Sequence, residues 1–228
     1  MAKTFVFSIG GSLVAPSEIN TKLIKEYKKL FLNFVKKGNR VILIVGGGDT
    51  ARRYQAAAKL VDRKIANTDL DWVGIVATRL NAELIRAIFG GLAYSKVLGD
   101  PAKKIKTKKK IIIGAGYEPG WSSDLDAILA ARANGADTVI NLTNVDYVYD
   151  KNPFKYKSAK SYQRLGWREF RKIVGFKWVP GAHVPFDPVA AKKGEQYKLK
   201  LVVMNGNKIS NLKKFLASQS FKGTIIKN

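Results

Sequence analysis

Val41-Ile-Leu-Ile-Val-Gly46-Gly47-Gly48 is an unbroken run of β-branched residues and leucine that ends on three glycines. Such a run reads as a strand buried on both faces, the situation of a strand inside a parallel sheet. The glycines let the chain turn sharply and bring bare backbone close to a ligand. The pattern occurs twice more, in Phe5-Val-Phe-Ser-Ile-Gly10-Gly11-Ser12 and in Ile111-Ile-Ile-Gly114-Ala-Gly116-Tyr-Glu-Pro119-Gly120. Where a helix follows, its first amides carry unpaired N–H groups and the positive end of the helix dipole, which suits phosphate. Three such turns in 228 residues point to a polyphosphate site at the carboxyl edge of one sheet.

Strands and helices alternate outward from these turns. Strands are expected at 4–9, 41–45, 111–113, 138–142, 199–204 and 223–226. Helices are expected at 20–37, 51–60, 71–89, 124–133, 167–174, 188–194 and 209–217. In the first helix Ile19, Leu23, Ile24, Tyr27, Leu30, Phe31 and Phe34 recur at helical spacing, and Gly38 supplies a stop. A loop is expected from the end of the 138–142 strand through Pro153, and a Pro/Gly-rich connection at 179–188. Alternation of this kind implies an α/β fold with a mostly parallel sheet and right-handed crossovers. The chain reads as a single domain with a soft boundary near 105–115, dividing an N-terminal lobe (about 1–112) from a C-terminal lobe (about 113–228).

Composition narrows the function. The mean hydropathy of −0.12 and 46% hydrophobic residues are ordinary for a globular protein. No apolar run approaches the ~20 residues that cross a bilayer, and the start Met1-Ala-Lys-Thr-Phe enters a strand, so a cytoplasmic location is expected. Without cysteine there are no disulfides, thiolate metal sites or cysteine nucleophiles. A single histidine, His183, disfavours a serine–histidine triad or a histidine-based metal site. The 41 basic and 17 acidic residues give a net charge of +24. Such a field attracts polyanions, but the lysines are scattered from end to end. The one dense run, Lys103-Lys-Ile-Lys-Thr-Lys-Lys-Lys110, reads as a solvated loop rather than a basic helix. The charge permits nucleic acid as a partner, and the pattern does not favour it.

Neither G-x-x-x-x-G-K-[ST] nor a helix-opening G-x-G-x-x-G is present. What remains is phosphoryl transfer by positioning and electrostatics, which needs amides, a few cations and Mg²⁺ rather than a covalent nucleophile. Arg52 stands one turn into a helix that opens on glycine. It reads either as a bidentate phosphate ligand or as a solvated surface arginine. Ser122-Ser123-Asp124 offers hydroxyls at a helix start, where Ser123 or Asp124 reads equally well as an N-cap. Asn141 through Asp146 ends an apolar strand with a polar cluster, and Asn144 and Asp146 also suit a turn.

Taken together, several segments resemble a known family. They are Ser8-Ile-Gly-Gly-Ser12, Val45-Gly-Gly-Gly48 with Ala51-Arg52, and Asp71…Gly74…Thr78-Arg79-Leu-Asn81-Ala82. Pro119-Gly120-Trp-Ser-Ser-Asp124, Thr143-Asn-Val-Asp-Tyr-Val-Tyr149 and Phe186-Asp-Pro-Val-Ala-Ala-Lys192 follow in order. The chain resembles the uridylate (UMP) kinases of the amino-acid kinase fold, archaeal-type branch, over nearly its whole length. The resemblance implies a three-layer α/β/α sandwich with a mostly parallel central sheet. It also implies transfer of the ATP γ-phosphoryl group to UMP. On the ATP side it implies Ser8, Ile9, Gly10, Gly11, Ser12, Gly48, Arg52, Thr143, Asn144, Tyr149 and Asn152. On the UMP side it implies Gly47, Asp71, Tyr117, Glu118, Pro119, Gly120, Trp121, Ser122 and Ser123. Gly11, Arg52 and Asp146 form the implied catalytic set. Mg²⁺ arrives with ATP rather than in a protein cage, and a homo-oligomer, a hexamer built from dimers, is implied.

The chain departs from the family pattern at four places. Many relatives carry a lysine where Ser8 stands, so Arg52 or another lysine must neutralise the transferring group. Tyr147 replaces a common glycine, Asn152 a frequent aspartate, and Trp121 a smaller residue beside the uridine loop. Two alternatives follow. One is another small-molecule kinase on this fold, since fold does not fix the acceptor. The other is a non-catalytic protein that binds nucleotide or nucleic acid.

Overall fold

Each apolar run becomes a strand because its two faces are both covered. The computed structural model describes residues 2–176 and 185–228. His183 and residues 179–184 of the expected Pro/Gly-rich connection lie outside the described residues. Strands β1 (Thr4–Ile9), β2 (Arg40–Val45), β3 (Ile111–Gly114), β4 (Thr138–Thr143) and β8 (Lys200–Asn205) pair in parallel in the order β3-β2-β1-β4-β8. β9 (Thr224–Ile226) adds antiparallel to β8, and β7 (Arg164–Leu165) parallel to β9, completing seven strands. A separate hairpin-like pair joins β5 (Val148–Tyr149) to β6 (Ser161–Tyr162).

The period-2 alternation of side chains sorts the core into two halves. Phe5, Phe7, Ile9, Leu43, Val45, Ile113, Ile140, Leu142, Val202 and Met204 face one way. There they pack under α2 (Thr21–Lys36), α4 (Asn67–Phe89) and α8 (Ile209–Leu216). Val6, Ile42, Ile44, Ile112, Val139, Leu201 and Val203 face the other way, under α5 (Ser123–Ala133), α6 (Trp167–Val174) and α7 (Pro188–Gln196). The result is the expected three-layer α/β/α sandwich. Strands buried on both faces leave only their ends for chemistry. The parallel register sets Ile9 level with Val45 and Leu142, and Thr143 level with Asn205, so five carboxyl ends share one edge.

Some local expectations are corrected. Ile19 lies outside α2, which Asn20 caps by accepting from the Leu23 amide at 3.1 Å, and its side chain is exposed. α4 begins at Asn67, four residues earlier than its apolar spacing implies, and Ala66 before it provides no side-chain cap. α3 runs from Gly48 to Val61 and so takes in the third glycine of its turn. The single-turn α1 (Gly11–Val14) and the two-residue strands are additional. The basic run at 103–110 is a loop whose lysines are exposed, while Ile105 is buried and donates its amide to Asn134 at 3.1 Å.

Candidate active site

At the centre of the shared edge, the turns after β1 and β2 lie backbone against backbone. The Gly46 amide donates to Ile9 O at 3.0 Å, and the Gly10 amide to Leu142 O at 3.0 Å. A Cβ on Gly11 would fall 1.9 Å from the Gly48 nitrogen, and one on Gly48 would fall 2.4 Å from Gly11 O. Gly48 also has φ +65, a conformation that side chains disfavour. Contact this close admits no side chain at either position. The first amides of α1 and α3 therefore sit together, and α3 starts without a capping side chain.

Behind the second turn stands α4. Asn81, 2% exposed, donates to Gly46 O at 2.9 Å and Gly47 O at 3.0 Å. Thr78 accepts from the Gly116 amide at 2.8 Å while donating to Ile75 O at 2.6 Å. Asp71 accepts from the Gly120 amide at 2.8 Å. One helix thus holds both the 46–48 turn and the 116–120 loop. Tyr117 and Trp121 stand 5.8 Å apart between ring centroids on that loop. Ser122 is the N-cap of α5, accepting from Leu125 at 3.2 Å, so neither Ser123 nor Asp124, the two residues expected in that role, caps the helix.

A cavity of about 730 Å³ lies beside the paired turns. Ser12, Arg52, Thr143, Asn144, Tyr149 and Asn152 all line it, drawn from four separate stretches of chain. Arg52 is 62% exposed there and makes a loose ion pair with Asp49 at 3.6 Å. Its guanidinium is therefore available to a ligand.

Two residues expected at the site have other engagements. Ser8 is 1% exposed, and its hydroxyl donates to Asp124 Oδ1 at 2.8 Å. Asp146 does not line the 730 Å³ cavity, and its Oδ2 accepts from Lys208 at 2.6 Å. Burial pushes the Asp146 carboxyl up, but Lys208, Asn205 and the charge of Lys222 outweigh it, so the net shift is downward. The carboxylate is ionised at neutral pH.

Asp124 gains a task that its helix position alone does not reveal. Besides Ser8 it accepts from the Asp187 amide at 3.2 Å, so it links β1, α5 and the start of α7. Asp187 in turn caps α7, accepting from Ala190 at 2.8 Å. Burial raises the Asp124 pKa to about 6, the Ser8 hydrogen bond opposes the rise, and the charge of Asp187 adds to it. Two residues along, Asp126 is fully buried and neither of its oxygens has a partner among the described residues. Burial drives its pKa to about 8, and the nearby Tyr117 amide opposes this only in part. Both perturbed carboxyls lie behind the glycine-lined edge, and their shifts arise first from burial.

A doubly covered parallel sheet with a split glycine cradle at its carboxyl edge defines the class. Residues 3–205 match the model of the amino acid kinase family, and the chain belongs to that family. Among its relatives is the uridylate kinase of Methanococcus aeolicus, 35% identical over 226 residues that cover 97% of this chain and 98% of the relative. The uridylate kinase of Methanospirillum hungatei is 34% identical, covering 98% and 94%. The crystal structure of uridylate kinase from Archaeoglobus fulgidus superposes with a TM-score of 0.83 at 35% identity, over 97% of this chain and 99% of that one. UMP kinase from Ureaplasma parvum shares the fold with a TM-score of 0.78 at 19% identity, covering both chains in full.

Proposed function

We propose that this protein is a UMP kinase, transferring the γ-phosphoryl group of ATP to UMP to form UDP and ADP. The observation that carries the reading is the convergence of Ser12, Arg52, Thr143, Asn144, Tyr149 and Asn152 on one cavity beside the paired glycine turns. That cavity takes ATP. UMP lies on the other side of the cradle, against Gly47, Asp71 and the loop from Tyr117 to Ser123, which Asp71 ties to α4. The adenosine then lies with the C-terminal half, and the acceptor with the N-terminal half and the Tyr117–Ser123 loop that opens the C-terminal one.

In the reaction a UMP phosphate oxygen attacks the γ-phosphorus in line, and the bond to the bridging oxygen of ADP breaks. The attacking oxygen is already ionised at neutral pH, so no general base is needed. Amides of the turns at Gly11 and Gly48 and the Arg52 guanidinium hold the equatorial oxygens. Among the described residues no three Asp, Glu or His side chains gather as metal ligands. When bound, Mg²⁺ supplies charge neutralisation on the β- and γ-phosphates. Asp124 and Ser8 lie beneath the cradle and position it.

The same reading places the enzyme in pyrimidine nucleotide synthesis in the cytoplasm, as a homo-oligomer assembled from dimers into a hexamer. Support for self-association comes from the outer face of α3 and α4. Leu60 and Val61 on α3 and Val76 and Leu80 on α4 are each more than 60% exposed, apolar surface that suits a partner copy.

A coupled ADP-release assay with ATP and Mg²⁺ tests the activity, comparing UMP with CMP, AMP, GMP, glutamate and aspartate. Turnover with UMP far above the rest is expected. Preference for another acceptor, or folded protein that binds nucleotide without turnover, overturns the assignment. Arg52→Ala tests the cradle. Turnover should fall by about a hundredfold or more, while the melting temperature stays near that of the parent because Arg52 is exposed. Equal turnover in the native-like variant would remove Arg52 from the mechanism.

A further inference from the structure

A second cavity, of about 900 Å³, lies beyond Tyr147 from the first, and Tyr147 lines both. Four cations reach it from separate parts of the chain: Arg164 on β7, Lys208 after β8, Lys214 on α8, and Lys222 before β9. Asn207 and Gln219 add amides, and no Asp or Glu is among the lining residues. Lys208 is paired with Asp146 at 2.6 Å, whereas Arg164, Lys214 and Lys222 form no ion pair among the described residues.

The wall is constructed rather than a chance meeting of surface lysines. Asn211 on α8 donates to Lys222 O at 2.7 Å and accepts from the Lys222 amide at 2.8 Å. Ser218 turns the chain after α8 in the left-handed conformation, with φ +58, which is uncommon for a residue with a side chain. These features tie the 218–223 loop to α8 and keep Lys222 in the wall that Lys208 also lines. The Asp146 carboxylate answers Lys208 and part of the charge of Lys222, while Arg164 and Lys214 line the concavity with no ion pair among the described residues, so the surplus of like charge favours a further anion.

We propose that this cavity is a second ligand site, separate from the nucleotide cleft, for a compact small molecule bearing several phosphate groups. Its volume falls in the range of small-molecule sites, of about 300–1,000 Å³. Its cations converge on one concavity instead of tracking along the surface as a backbone-binding groove would. Lys208 and Tyr147 give such a ligand contact with the rim of the nucleotide cleft.

The probe is inorganic tripolyphosphate, titrated calorimetrically into the full-length protein at fixed ionic strength. The parent should show a site that Lys214→Gln/Lys222→Gln weakens by about tenfold or more. Lys25→Gln/Lys29→Gln removes the same charge from the exposed face of α2 and should leave that site unchanged. Arg52→Ala should leave it unchanged too, since that arginine belongs to the other cavity. The proposal fails if both lysine pairs weaken binding alike, which is a general charge effect. It fails if the Lys214/Lys222 variant binds like the parent, or if no such site is seen. Preferential binding of single-stranded oligo(U) through the same lysines would replace the small molecule with RNA. The readout is binding, so absence of UMP turnover leaves the result intact.

Discussion

Ser8 and Asp124, 116 residues apart in sequence, are joined by a 2.8 Å hydrogen bond beneath the glycine cradle. Ser8 donates and the carboxylate accepts, so the bond favours the ionised acid against the burial that disfavours it. Removing the hydroxyl in Ser8→Ala leaves burial unopposed on that oxygen, and the Asp124 pKa should climb above its value of about 6. If ionised Asp124 positions the cradle, the acidic limb of the kcat profile moves to higher pH in Ser8→Ala. Ser8→Thr, which keeps the donor, should move it back. A profile scaled down at every pH without a shift would reduce Ser8 to a packing residue.

Asp126 makes a prediction about stability rather than rate. Its ordinary value of 3.8 rises to about 8 in the fold. Below about 4 the acid is protonated both folded and unfolded, and it costs nothing. Between that value and about 8 the unfolded chain has lost a proton that the folded chain keeps. The group's contribution to stability therefore declines with rising pH through this window and is flat above it. In Asp126→Asn the side chain cannot ionise. The variant's melting temperature relative to the parent should rise by several degrees between pH 5 and pH 8.5. Parallel melting curves across that range would mean the carboxyl finds a partner or water that lowers its pKa.

Legibility of the molecule followed the range of the forces involved. Val41–Val45 is a strand because every side chain is apolar, and this is written in five consecutive letters, with its counterparts nearly as uniform. The long helices were readable from their apolar spacing, and α4 was misplaced only at its start, where Ala66 leaves no polar signature. β5, β6 and β7 contain two residues each, too few for a period to appear. The cavity residues were reached through motif order, which preserves what local chemistry alone left open at Arg52 and Asn144. Asp124 and Asp126 were not. Acids in the first turn of a helix have a sufficient local explanation in the helix dipole. Only the packing of α5 against β1 and α7 takes them out of water.

Gly11 is predicted to be intolerant of the smallest substitution. The added methyl of Gly11→Ala would meet the Gly48 nitrogen at 1.9 Å and the Gly48 Cα at 2.6 Å. Both are backbone atoms, so no side chain can swing aside, and the two turns must separate. Overpacking of this kind costs about 1–3 kcal/mol, and the cradle amides move with the turns. Activity should fall by far more than the loss of stability explains, measured on protein that circular dichroism reports as folded. Gly38→Ala is the comparison, since Gly38 has φ +93 but no atom within 4 Å of its added Cβ. It should lose stability through backbone strain while keeping its turnover.

On the proposed reading, Asp71 is the residue by which the acceptor side can be separated from the ATP side. Its carboxylate accepts from the Gly120 amide at 2.8 Å, fixing the Tyr117–Trp121 loop to α4. It does not line the cavity that holds Arg52, Thr143 and Asn144. In Asp71→Asn the side-chain oxygen can still accept from Gly120, so the loop is retained. The negative charge and one acceptor for a ribose hydroxyl are lost. A charge-assisted hydrogen bond contributes about 1.5–3 kcal/mol, so the KM for UMP should rise by about ten- to a hundredfold. The KM for ATP should stay close to that of the parent. Steady-state kinetics with each substrate varied in turn makes the distinction. Equal rises in both constants would mean that Asp71 holds the loop for the whole site and does not contact the acceptor.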